Sequence, residues 1–251
     1  MNNSRELNIK DEISLNDNNK GIPVRGHVVL RDAETKEIIH EADNLVLMRT
    51  RVWLFEQLFK KNPPSDYTTN INNNRYIALF SIGSGGADVN ATPFSPYVPK
   101  FSDTQLGTPI PFVTVDPDKE NNTESQSNPS VLTSISAEQR KIYYMPHTNE
   151  DGTIPYYAKR FDGATDQNPF GSSAGWSINQ YNGEVSFSLK LSVSPSEARG
   201  SMFNEIGLWI GAFNSGTNTY NNLELATRFT FSTESTASLS KGIEIEYTMY
   251  I

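Results

Sequence analysis

The sequence predicts a mainly β protein: one β-sandwich-like domain with a single packed α-helix and long Pro/Asn-rich loop insertions. Three observations carry that expectation. Residues 176–251 hold several apolar stretches separated by turn residues, and the last of them, IEIEYTMYI, alternates strictly. Strict alternation marks a strand with one buried face. Residues 44–62 are the one stretch that repeats apolar side chains at helical spacing. Ten prolines between positions 93 and 169 break any long element there, because proline lacks a backbone donor and fixes φ.

With 251 residues and 36% apolar content, the chain can bury one core of ordinary size. Residues 1–21 read as a flexible N-terminal arm, and 22–251 as a single β-rich domain in which 107–175 is a loop-rich insertion. There is no cysteine, so disulfides, thiol chemistry and Cys-based zinc sites are excluded. A net charge of -8, with the basic residues dispersed, argues against nucleic acid as a partner, since a duplex surface needs a basic footprint. No apolar stretch approaches the roughly 20 residues of a membrane-spanning helix. The N-terminus shows no apolar core of a secretory signal, and synthesis in a cytoplasm is expected.

In chain order, residues 1–21 are polar, with Leu7, Ile9, Ile13 and Leu15 as apolar grip. Residues 22–43 predict a hairpin closed by Asp32-Ala33-Glu34-Thr35-Lys36, with His27 and His40 close enough to approach each other. The helix over 44–62 is capped by Asn44 or Thr50. Its buried stripe is Met48, Val52, Phe55 and Phe59, widened by Leu47, Leu54 and Leu58. Trp53 falls on the opposite face with Arg49, Glu56 and Lys60, where it packs under a loop or touches another subunit. A strand over 75–83 enters Ser84-Gly85-Gly86, glycines that a turn with positive φ explains. Within the insertion, 109–115 and 139–145 are expected strands. Tyr143, Tyr144, Tyr156 and Tyr157 supply adhesive aromatic surface. Ser136 and Ser194 open capping-box patterns.

From Trp176 onward the pattern reads as a meander around residues 203–211, FNEIGLWIG. Asn182-Gly183 predicts a two-residue hairpin turn that pairs Gln180 with Val185, Ile178 with Phe187 and Trp176 with Leu189, placing Trp176 in the core. Strands over 225–231 and 243–251 close the chain.

The sequence contains no catalytic constellation. No nucleophile elbow or triad pattern is present. Ser84-Gly85-Gly86 lacks the Lys and Ser/Thr of a phosphate-binding loop. Asp116-Pro117-Asp118 and the acids of 162–166 do not match a calcium loop. His27 and His40 read as surface histidines on a ladder rather than a metal pair, since zinc needs three or four ligands and only His147 remains. Glu205, a carboxylate inside an apolar run, is the best single acid. Its expected role is structural: accepting backbone N–H bonds or pairing with an arginine such as Arg228.

Several segments taken in order carry a resemblance. A hairpin leads into DNLVLMRTRVWLFEQLF, and then a strand ends in SIGSGGA. Next come Asp103-Thr104-Gln105-Leu106, the NEIGLWIG run and a closing ATRFTF. This order resembles virion structural proteins of tailed bacteriophages, of the tail, baseplate and neck type. It covers roughly residues 22–106 and 176–251. The resemblance implies a β-sandwich-like module in the virion, assembling with other virion structural proteins as a homo-oligomer through its N-terminal arm and loops. It implies no catalytic residue, cofactor or metal. Trp53, Tyr143, Tyr144, Tyr156 and Tyr157 are then the expected partner contacts. The alternatives are a capsid decoration protein, or a carbohydrate-binding module of a receptor-binding apparatus.

Overall fold

The computed structural model describes residues 24–59, 75–88, 90, 95–110, 142–145, 156–164, 168–171, 174–181, 183–193, 203–214, 219–232 and 242–251. The arm 1–21, both capping-box patterns, His147, the helix end beyond 59 and most of the 107–175 insertion lie outside them.

Two antiparallel sheets stack face to face. The first contains β1 (Arg25–Asp32), β2 (Ile38–Asn44), β9 (Gly175–Asn179), β10 (Glu184–Val193) and β13 (Ile243–Tyr250), in the order β2-β1-β13-β10-β9. The second runs β12-β11-β3-β8-β7 and contains β3 (Tyr76–Gly83), β7 (Ile142–Met145), β8 (Tyr156–Lys159), β11 (Glu205–Asn214) and β12 (Thr219–Thr230). A short β6 (Pro109–Ile110) pairs the end of β3. A small hairpin joins β4 (Ala87–Asp88) to β5 (Ser95–Pro96). The fold is mainly β, with one helix among the described residues, as the sequence predicts.

Alternation places the core. In β13 the residues Ile243, Ile245, Tyr247 and Met249 are buried, and each intervening residue is half-buried. They join Val28 and Leu30 of β1 and Leu189, Leu191 and Val193 of β10. Opposite them stand Phe80, Ile82, Ile206, Leu208, Ile210 and Phe229 of the second sheet. The second sheet is covered on its outer face too. There Leu79, Trp209 and Leu225 pack with Leu47 and Leu106, so β3 is buried without interruption from Ala78 to Gly83. A strand covered on both faces tolerates no alternation, which accounts for the unbroken apolar run in β11.

Four expectations are corrected. The C-terminal strands do not form a meander: β9, β10 and β13 belong to one sheet, while β11 and β12 pair with each other in the other, with β11 next to β3. The β9–β10 register pairs Ile178 with Val185 and Trp176 with Phe187, two residues from the predicted one. The connection is therefore four residues long, with Gly183 at φ +72° donating to the Asn179 carbonyl at 2.9 Å. A shift of two preserves the face of every side chain, yet Trp176 is 74% exposed, because it stands at the wall of an open pocket at this corner rather than in the core. The two histidines occupy opposite faces. His27 lies between Glu41 and Asp43, each at 3.1 Å, whereas His40 packs its ring on Phe229 at 5.5 Å.

The helix, α1 (Met48–Phe59), starts later than predicted, and its core-facing side includes Leu54 of the predicted stripe but also Trp53 from the face expected to be polar. Asn44 belongs to β2, and Val46 bridges Thr227, so the chain stays extended to Leu47. Neither Asn44 nor Thr50 caps it. Thr50 is buried and donates its hydroxyl to the Ala226 carbonyl at 2.6 Å. Trp53 and Leu54 pack on the core, while Met48 is 38% exposed. Polar anchors set this orientation: Thr50 to Ala226, Arg49 to Glu224 at 3.0 Å, and Arg51 to the Val24 carbonyl at 3.1 Å.

Candidate functional site

Glu205 opens β11 at one end of the second sheet, and its side chain is fully buried. Burying a carboxylate costs several kcal/mol unless charge and hydrogen bonds compensate. Here they do. Oε1 accepts from the backbone N–H groups of Gly85 at 3.1 Å and Thr108 at 2.9 Å. Oε2 accepts from the Gly107 N–H at 3.1 Å and from Arg228 Nε at 2.9 Å and Nη2 at 2.7 Å. Arg228 also donates through Nη1 to Asp103 at 3.0 Å. Burial works against the charged guanidinium. The hydrogen bonds and opposite charges of Glu205 and then Asp103 outweigh it and raise the Arg228 pKa above its ordinary value.

The glycines serve this cradle by close approach. A Cβ on Gly85 would stand 2.4 Å from the Thr108 nitrogen, and one on Gly86 2.2 Å from the Asn204 carbonyl oxygen. Neither Gly85 nor Gly86 has positive φ, so the turn explanation from sequence is replaced. Gly86 N–H donates to Asn204 Oδ1 at 2.6 Å. The loop does bind an anion through backbone amides, and that anion is the chain's own Glu205.

Two roles proposed for Glu205 from sequence, amide acceptor and arginine partner, are thus realised together. With five donors on two oxygens its lone-pair sites are filled, and no acceptor position is left for a substrate proton. Asp103 as second partner of Arg228 escaped the sequence reading. Its signal was the Asp103-Thr104-Gln105-Leu106 step, whose Leu106 is buried under the second sheet.

At the opposite extreme of chemistry lies an apolar corner. Trp53 of α1, Tyr76 of β3, Phe170 and the β10 residue Phe187 line an open pocket of about 220 Å³, with Trp176 and Met249 at its walls. Phe170 meets Phe187 edge-on at 5.2 Å, and Trp176 sits 4.7 Å from Phe187. Trp53 is therefore half-buried in this corner with its indole N–H unpartnered. Tyr143 and Tyr144 lie in β7 and Tyr156 and Tyr157 in β8, with Tyr144 opposite Tyr157. They are more than surface loop: β8 joins the edge of β3 at Phe80–Lys159.

Asp162 accepts from the Ser192 backbone N–H at 3.1 Å and from its hydroxyl, a turn tied to β10. Among the described residues no three His, Cys, Asp or Glu side chains converge on a metal position. Among the same residues no helix is long and apolar enough to cross a membrane. No protein-family model, curated protein or solved structure matches the chain.

Proposed function

We propose that this protein is a non-enzymatic structural subunit of a tailed-phage virion, built into the tail, baseplate or neck. One observation carries the reading. The separated motifs that resemble such proteins meet at a single buried place. Asn44-Leu45-Val46 bridges to Thr227 beside Arg228. Gly85 and Gly86 close on Glu205 and Asn204, and Asp103 holds Arg228. Motifs that converge on a saturated ion pair maintain a scaffold. Chemistry would require an acid or base with a free position. Repeated copies in a symmetric particle make small contact patches sufficient for assembly.

Light scattering on the purified chain, alone and mixed with tail, neck and capsid proteins of the same genome, tests this. A stable ring, or a complex with a tail or neck protein, is the expected result. A complex with the capsid protein alone makes it a decoration protein. A monomer that ignores all of them overturns the virion assignment.

The exposure of Trp176 favours a second reading, a carbohydrate-binding module of a receptor-binding apparatus. An indole 74% exposed over an aromatic-lined pocket is a stacking platform for a sugar ring. Glycan-array binding that disappears in Trp176→Ala is its test.

A further inference from the structure

The free edge of β9 is unlike a protected edge strand. Its five residues, GWSIN, are all exposed and include no charge, no proline and no bulge, the devices that normally blunt an edge. Trp176 is 74% exposed, Ile178 67% and the adjoining Tyr181 fully. Trp176 and Ile178 share the face of Val185 and Phe187, the side of the first sheet that elsewhere packs on the second. At this corner the sheet overhangs its partner.

We propose that β9 pairs antiparallel with β9 of a second copy about a two-fold axis at Ser177, joining two five-stranded sheets into one of ten. The strand is self-complementary in that register. Trp176 stands opposite Ile178 of the other copy, Gly175 opposite Asn179, and Ser177 opposite itself. Every apolar side chain falls on the overhanging face and every polar one on the outer face. With no charge on β9, no like charges meet, despite the net charge of -8. The area is small. One large aromatic at roughly 150–250 Å², plus an isoleucine, gives roughly 300 Å² per copy. The pair thus buries about 600 Å² before backbone is counted, in the range of weak, transient encounters. The dimer is accordingly weak and concentration-dependent.

The inference deepens the subunit reading, but its test does not depend on particles. Sedimentation equilibrium of the full chain over micromolar concentrations is the measurement, with melting curves as the folding control. Wild type is expected to pass from monomer to dimer. Ser177→Lys and Ser177→Asp each place like charges face to face and weaken the dimer several-fold, without changing the melting temperature. Mixing the two variants restores it. Because the chain has no cysteine, Ser177→Cys forms a disulfide-linked dimer under mild oxidation, and Asn179→Cys, which faces Gly175, does not. A monomer at every concentration overturns the proposal. So does association indifferent to charge at 177, or dimerisation that appears only once residues 1–23 are removed, which would make the arm the cover of its own β9. None of these outcomes bears on incorporation into a virion, which the mixing experiment decides separately.

Discussion

Around Glu205 each carboxylate oxygen is bound from within the chain, whereas at the β9 corner three large side chains are left to solvent. Both places carry costly groups, and the difference lies in who supplies the partners. A buried charge must be compensated on folding, because an orphan inside a low-dielectric core is worth several kcal/mol of instability. An apolar surface at an edge costs far less, so it can wait for a partner outside the chain. The first region specifies the fold, and the second offers contact.

The largest effect that would test this contrast is removal of one charge at the cradle. Arg228→Ala leaves Glu205 buried without its counter-charge, held only by backbone N–H groups, and is expected to lose about 3–5 kcal/mol in urea unfolding. A loss near that of a surface substitution would mean that the cradle is not the fold's anchor. Glu205→Gln keeps the shape and an acceptor and should lose less than Arg228→Ala in the same titration.

Next in size is Gly86→Ala. Its Cβ would meet the Asn204 carbonyl oxygen at 2.2 Å, and overpacking against backbone costs about 1–3 kcal/mol. A wild-type midpoint would show that the loop can retreat from β11.

At the other region the expectation reverses. Ile178→Ser should change monomer stability by no more than about 0.5 kcal/mol, measured by thermal melting at low protein concentration. A larger loss would place Ile178 in the monomer's own core and erase the contrast.

The smallest effect is a pH dependence at His40. Burial lowers its pKa in the folded chain, so the unfolded state binds the proton more readily. The stability contributed is therefore full above about pH 6.5 and declines as pH falls through the lower folded value. His40→Phe should flatten that part of a pH–stability profile, and an unchanged profile would assign the dependence elsewhere.

Much of this molecule can be read without coordinates. The alternation in IEIEYTMYI marks β13 and its buried face, and the turn around Asp32 closes the first hairpin, with Asp32 Oδ1 accepting from Glu34 and Thr35 N–H. The structural role of Glu205 is legible as well, since a lone carboxylate in an apolar run must find donors. The helix is legible as an element and only in part in orientation. Leu54 of the expected stripe faces inward, but so do Thr50 and Trp53, because tertiary hydrogen bonds to Ala226 and Val24 fix the rotation.

Side-chain periodicity, turn chemistry and a charge set among apolar residues are local properties, and the sequence by itself determined them: a mainly β chain, one helix, and a carboxylate that needs donors. Tertiary structure alone decided which strands share a sheet, that Arg228 and Asp103 meet, and that Trp176 lies beyond the edge of the opposing sheet. Those depend on pairings between residues far apart in the chain, where an alternating pattern names the face of a strand but not its neighbour.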